Sequence, residues 1–431
     1  MNKLKITGGK ALHGSVKIAG AKNAASKMIL ASLLTDQEVQ VRNVPLQEET
    51  DIAKELIEMV GATVKIEDHT LIATTKEIKT TSIMALSRKN RLSILLAAPI
   101  LHRKGEVHLP FPGGDKIGAR PLDFHVEALK KMGVHIDELD DGYHMTVTGR
   151  LKGALIELPY PSVGATETVI YAGVLAEGRT VIKNAAIEPE IMDLIMMLQK
   201  MGAVIEVGVG RHIEIVGVER LEGCEHSVLP DRLEAASFAC IALATRGEIF
   251  CEGASHKDMI TFLNAVRLIG GEYEVREDGI LFRGASKYQG MQLETDTYPG
   301  FSTDWQQPFV VALTQAEGTS VVHETVYQAR FGYTEVLNQM GADITLFDNC
   351  LGEIKCRFAD QNYKHSAVIK GPSKLKATSM TVPDIRAGLA YVAAALVADG
   401  TSEIDGVEHL ERGYEDLYGK LESIGASIET E

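Results

Sequence analysis

The chain has 431 residues, length for about three domains, and at 45% hydrophobic it can bury a large core. Its formal net charge of -15 argues against a general binder of nucleic acid or of a membrane surface, so an anionic ligand must be met by a local cluster of Lys and Arg. The opening MNKLKITGGK has no apolar stretch of the signal-peptide kind. Five cysteines, Cys224, Cys240, Cys251, Cys350 and Cys356, form no C-x-x-C pair and read as reduced thiols of a cytoplasmic protein. No His/Cys/Asp group has metal-ligand spacing, and neither a metal nor a cofactor is expected. The most apolar run, AGLAYVAAALVA from Ala387, is too short to span a bilayer and reads as a buried helix.

One phrase recurs along the chain: an apolar residue, Gly, a small residue and an alternating tail. It is VGATVKI at Gly61, MGVHIDE at Gly133, MGAVIEV at Gly202, IGGEYEV at Gly270, MGADITL at Gly341 and IGASIET at Gly425. The glycines are spaced by 72, 69, 68, 71 and 84 residues. A second phrase (TDQEVQV, RKGEVHL, AEGRTVI, TRGEIFC, AEGTSVV, ADGTSEI) lies 23 to 28 residues before each glycine. A small-residue-rich helical run precedes the second phrase, and an amphipathic helix such as EPEIMDLIMMLQKM follows it. The glycine then stands at a helix C-cap, with a strand after it. Six repeats of strand, helix, strand, helix, strand follow. The Ala/Gly-rich first helices suit an arrangement with helices inside and sheets outside better than an open solenoid. The last interval is the longest, which places an insertion near 347–379, around NCLGEIKCRFADQNYKHS.

Polar groups collect just before the buried helices. In chain order these are Lys22 and Asn23 in IAGAKNAAS, Arg91 in SRKNRLS, and Ser162 in PSVGATET. Asp231 and Arg232 follow in LPDRLEA, Asp304 in FSTDWQQPF, and Asp384 and Arg386 in VPDIRAG. Helix N-termini with nearby cations bind anions, and equivalent ends of six repeats can converge. Taken singly, each position reads equally well as a helix cap or a solvated charge.

The combination is more specific. GAKNAA, PGGDKIGARPLD, SVGAT, ETVYQARF and ERGYE occur in this order. Together with the six repeats they resemble the enolpyruvyl transferase family, in its branch of UDP-N-acetylglucosamine 1-carboxyvinyltransferases. The resemblance spans nearly the whole chain outside the late insertion. It implies an α/β fold of two lobes, each an inside-out barrel of three repeats. One lobe is 22–229; the other joins 1–21 to 230–431. It implies transfer of the enolpyruvyl group of phosphoenolpyruvate to the 3-hydroxyl of UDP-N-acetylglucosamine with release of phosphate, the first committed step of peptidoglycan precursor synthesis.

The same resemblance distributes roles. The glycine-rich loop around Asp115 corresponds to a mobile lid, with Asp115 as acid and Asp304 as base. Lys22, Asn23, Arg120, Arg386 and Arg412, together with Arg330, correspond to the cations and amide that meet phosphoenolpyruvate. Arg91, Arg120, Pro121, Leu122, Asp123, Phe124, Ser162, Val163, Asp304 and Val326 correspond to the nucleotide-sugar site. Asp115 stands where most members carry cysteine, so resistance to the thiol-alkylating epoxide fosfomycin is expected. Lysines common in the family are replaced by Glu48 and Tyr160. The open alternatives are the shikimate branch, a paralogue using another uridine nucleotide, and a catalytically inert ligand-binding scaffold.

Overall fold

The computed structural model describes residues 3–85, 90–113, 122–354 and 356–430. The fold is mixed α/β, and the repeat phrases mark its periodicity. Gly61, Gly133, Gly202, Gly270, Gly341 and Gly425 all take positive φ, between 83° and 113°. Each ends a helix in the left-handed region, where a Cβ would be strained.

The third repeat shows the pattern in full. Strand Leu155–Glu157 leads into helix Val163–Gly173, strand Arg179–Lys183, helix Pro189–Lys200 and the hairpin of Val204–Gly208 with His212–Val216. The repeat therefore contains one strand more than its sequence suggests. The first strand pairs parallel to the second, and the rest of the sheet is antiparallel. The fifth repeat follows the same strand order with Gln292–Glu294, Gly318–His323, Ser366–Gly371 and Asp343–Phe347. Ser366–Gly371 lies within the expected insertion yet serves as a regular strand, which leaves 348–365 as the extra chain.

Strand exchange links distant parts of the chain. Lys3–Thr7 is antiparallel to both Thr401–Asp405 and Ser427–Thr430, and so completes the sixth repeat's sheet. His13–Lys17 pairs with Glu248–Glu252 of the fourth repeat, while Cys224–Ser227 pairs with Val39–Arg42 of the first. The described chain accordingly forms two compact units. One contains 3–19 and 230–430; the other contains 20–113 and 122–229.

In the 230–430 unit the first helices of the repeats, Arg232–Thr245, Thr303–Leu313 and Ile385–Val397, pack on one another. Every residue of Arg232–Thr245 is buried. Around them the strands alternate buried and exposed positions, as in Glu248–Glu252 and Thr401–Asp405. The 20–229 unit repeats the scheme with Lys22–Ala31, a 3₁₀ turn Leu92–Leu96 continuing into Ala97–Lys104, and Val163–Gly173. The described strands form six separate sheets, five of four strands and one of three. None closes on itself, so "barrel" holds only in the sense of sheets placed over a helical core. No described helix is long and apolar enough to cross a membrane.

Candidate active site

The polar residues flagged at the repeat starts are in part the caps that start the buried helices. Ser162 Oγ accepts the amide of Ala165 at 3.3 Å. Asp231 accepts Leu233 and Glu234 at 2.8 and 3.2 Å. Ser302 accepts Asp304 at 3.3 Å, and Asp384 accepts Arg386 and Ala387 at 2.9 and 3.0 Å. Such caps satisfy amides that have no partner within the helix. They also hold Asp304 and Arg386 in the first turns of their helices.

In the 230–430 unit three predicted residues come together around Asp304. Its Oδ1 pairs with Arg330 and its Oδ2 lies 3.3 Å from Arg386 Nε. Arg386 also donates to Tyr414 Oη at 2.8 Å, and Arg330 Nε to Thr303 Oγ1 at 3.3 Å. Beneath them lies Glu324, fully buried. Its carboxylate accepts Thr303 Oγ1 at 2.9 Å and the amides of Val326 and Tyr327 at 2.8 and 3.0 Å. Burial raises its pKa, opposed by the Arg330 charge and by these hydrogen bonds. Burial alone would lower Arg330 and Arg386. For Arg330 the charges of Asp304 and Glu324 reverse the sign; for Arg386, Tyr414 and Asp304 do so, and both guanidiniums end above their ordinary values. Arg232 lies over Trp305 and Tyr298, 5.2 and 5.5 Å from the ring centroids. Arg412 follows the Glu408–Glu411 helix, two residues before Tyr414.

In the 20–229 unit Lys22 opens its helix, half-buried, with Nζ 3.7 Å from Glu49 Oε2; Asn23 is next to it. A second group forms around His125. Its Nδ1 lies 2.8 Å from Thr168 Oγ1. Burial, helped by the charge of Arg91, lowers its pKa to about 3, so it is neutral at pH 7. Gly164 of SVGAT abuts the same ring: a Cβ there would lie 3.1 Å from Cε1. Leu122 is buried before the Asp123–Lys131 helix, Asp123 is exposed, and Phe124 packs on the core. Ser162 is half-buried and Val163 is 36% exposed. Asp115, Arg120 and Pro121 lie outside the described residues.

Sequence reasoning missed Glu324, Thr303, Tyr414 and His125. All four lie inside or beside motifs already noted. Glu324 begins ETVYQARF and Tyr414 stands in ERGYE, but a motif does not show which of its members turns inward. Sequence spacing joined no set of metal-ligand residue types, and the described structure brings one such set together. His323, Cys350, Cys356 and His365 place one ligand-type atom each within 4.8 Å of the others. They are scattered in sequence and brought together by strand pairing.

Residues 6–421 match the family described as EPSP synthase (3-phosphoshikimate 1-carboxyvinyltransferase). The chain is 50% identical to a UDP-N-acetylglucosamine 1-carboxyvinyltransferase of Protochlamydia amoebophila, over 99% of this chain and 94% of that protein. It is 48% identical to the same-named protein of Chlamydia muridarum, over 99% and 98%. Among solved structures, the enolpyruvyl transferase NikO from Streptomyces tendae superposes with a TM-score of 0.87 at 20% identity, covering 100% of this chain and 99% of that one.

Proposed function

This chain belongs to the EPSP synthase family of enolpyruvyl transferases, and on that premise we propose that it transfers the enolpyruvyl group of phosphoenolpyruvate to the 3-hydroxyl of UDP-N-acetylglucosamine. Phosphate is released, and the product feeds peptidoglycan precursor synthesis in the cytoplasm. The observation that carries the reading is the 50% identity, over 99% of this chain, to a protein named for that reaction.

The chemistry asks for three things: a proton for the terminal carbon of phosphoenolpyruvate, a base for the sugar hydroxyl, and cations for a trianionic substrate. In this proposal Asp115 supplies the proton. The hydroxyl oxygen bonds to the adjacent carbon and gives a tetrahedral intermediate, which loses phosphate and a proton to restore the double bond. Asp304 takes the hydroxyl proton. Lys22, Asn23, Arg120, Arg386 and Arg412 hold the phosphate and carboxylate. Arg91, Arg120, Pro121, Leu122, Asp123, Phe124, Ser162, Val163, Asp304 and Val326 hold the nucleotide sugar.

The pairing of Asp304 with Arg330 and Arg386 supports a poised arrangement. The two guanidiniums orient the carboxylate, as a base for the sugar hydroxyl must be oriented.

Glu48 and Tyr160, at positions where lysine is common in the family, favour a second reading in which another uridine nucleotide is the acceptor. Phosphate release from phosphoenolpyruvate, measured with UDP-N-acetylglucosamine, other uridine nucleotides and shikimate 3-phosphate, separates the cases. Release that depends on UDP-N-acetylglucosamine supports the first reading. Release with a different acceptor alone replaces it.

A further inference from the structure

The extra chain of the fifth repeat, 348–365, contains no strand or helix among its described residues, and Cys356, Phe358 and His365 are its buried positions. Cys350 and Cys356 lie in it, and His365 ends it just before strand Ser366–Gly371. His323 is the last residue of Gly318–His323 and stands opposite Ser366 in the sheet register. That pairing brings the two imidazoles together, with ring centroids 5.5 Å apart. Cys350 Sγ lies 3.4 Å from His365 Nε2. A tetrahedral ion bonded at about 2.0–2.3 Å sets its ligand atoms roughly 3.3–3.8 Å apart. The four atoms here, all within 4.8 Å of one another, need only a small contraction to match that.

The surroundings point the same way. His323 and His365 are fully buried and Cys356 is 4% exposed. His365 Nδ1 lies 2.7 Å from the Tyr363 carbonyl and donates to it, which leaves Nε2 with its lone pair toward Cys350. Neither ring nitrogen of His323 has a hydrogen bond of normal geometry, although Glu294 Oε2 stands 3.4 Å from Nδ1. A buried imidazole so poorly partnered calls for an explanation, and a bound ion is one that fits the neighbouring thiols. The Glu294 carboxylate also accepts the amides of Glu353 and Ile354, both at 2.8 Å. A Cβ on Gly352 would fall 2.2 Å from Glu294 Oε2 and 2.3 Å from His323 Nδ1. The cysteine loop is thus pressed against the histidine by backbone contacts that do not themselves involve the thiols.

We propose that His323, Cys350, Cys356 and His365 form a structural site for one divalent metal ion, and the two thiols and two imidazoles select zinc. Binding displaces the two thiol protons to solvent. Two thiolates and two neutral imidazoles then balance the 2+ charge, with no redox change. The ion ties 348–365 to the end of its sheet. Arg357, in the same segment, donates to the Val326 carbonyl. The staple therefore also steadies the 324–330 turn, in which Glu324 and Arg330 support Asp304. The metal site stands on its own geometry, independent of the reaction proposed above.

The test uses full-length protein purified without a metal-binding tag. Elemental analysis of wild type is expected to give about one zinc per chain. The double variant Cys350→Ser/Cys356→Ser is expected to lose it and to unfold at lower temperature. Cobalt added to zinc-stripped wild type should give thiolate-to-cobalt charge-transfer absorption and the intense visible bands of a tetrahedral ion. Because the double variant is open to misfolding, the wild-type cobalt spectrum and the single variant Cys350→Ser, which should weaken the charge-transfer band, decide the matter independently. The proposal is overturned by wild type that carries no zinc and gives no cobalt band, by equal zinc in the double variant, or by a Cys350–Cys356 disulfide in freshly isolated protein.

Discussion

The two units hold charge at their helix starts in different ways. In the 230–430 unit Asp304, Arg330, Arg386 and Glu324 interlock, and all but Asp304 are almost wholly buried. In the 20–229 unit Lys22 meets Glu49 at 3.7 Å, and the charge of Arg91 acts on a histidine that burial already keeps neutral. In the first unit the dipoles and charges are fixed by folding, so removing one member strands another in a low-dielectric interior. In the second the Lys22–Glu49 ion pair, at 3.7 Å, is longer than either ion pair of Asp304.

The largest expected effect breaks the interlocked cluster. Arg330→Met leaves Glu324 buried without its cation and Asp304 with one guanidinium fewer. Removing one partner of a buried ion pair costs about 3–5 kcal/mol, to be read as a fall in the denaturant midpoint with unchanged m-value. A change below about 1 kcal/mol, within the range of exposed pairs, would mean the cluster is not preorganised.

Next in size is Asp115, which belongs to the chemistry rather than to either cluster. Asp115→Asn keeps the shape and removes the proton, and should lower turnover by about a hundredfold or more. Asp115→Cys should keep activity and gain time-dependent inactivation by fosfomycin, to which wild type is expected to be resistant, because a thiolate is the better target for an epoxide. Normal turnover of Asp115→Asn would reduce the residue to a loop position.

A third experiment reads the core of the 20–229 unit. Burial raises the Glu167 carboxyl to about 7, with Lys27 opposing and Glu188 and Glu190 assisting. Between the ordinary carboxyl range and that value the folded chain holds a proton that the unfolded chain has released. Stability attributable to Glu167 therefore falls as pH rises through this window. Glu167→Gln removes the effect, and its stability relative to wild type should grow by about 2 kcal/mol between pH 5 and pH 8. A difference independent of pH would place the charge elsewhere.

The smallest effect sharpens the contrast at Lys22. Lys22→Gln should lose about tenfold or more in turnover with phosphoenolpyruvate, since a charge-assisted contact contributes about 1.5–3 kcal/mol. Its folding stability should change little, unlike that of Arg330→Met. Near-normal turnover would remove Lys22 from the mechanism.

Much of this fold was legible in the chain because its signals are local. A glycine at positive φ after each amphipathic helix and a capping Ser or Asp before several of the buried ones are short-range devices, and they set the six repeats. What escaped depends on distant pairing. The fourth strand of the third repeat, His212–Val216, follows its partner too closely to show as a separate phrase. The exchange of His13–Lys17 and Cys224–Ser227 between the first and fourth repeats leaves no local mark. The same holds for the site. Asp304 and Arg386 were visible as helix-start residues, but Glu324 looked like one more acid until its buried contacts were drawn. His323 and Cys350 are 27 residues apart, and only the register that sets His323 opposite Ser366 brings them together.

The central claim is that this chain makes an enol ether at the sugar 3-oxygen. Proton NMR of a reaction run in deuterated water tests it most directly, with wild-type enzyme, phosphoenolpyruvate and UDP-N-acetylglucosamine. The account predicts new vinyl signals on the nucleotide sugar, with the sugar H3 resonance shifted by substitution at its oxygen and deuterium entering the methylene as the terminal carbon is protonated. Unchanged phosphoenolpyruvate, or vinyl signals that appear only when shikimate 3-phosphate or a different uridine nucleotide is supplied, would contradict it.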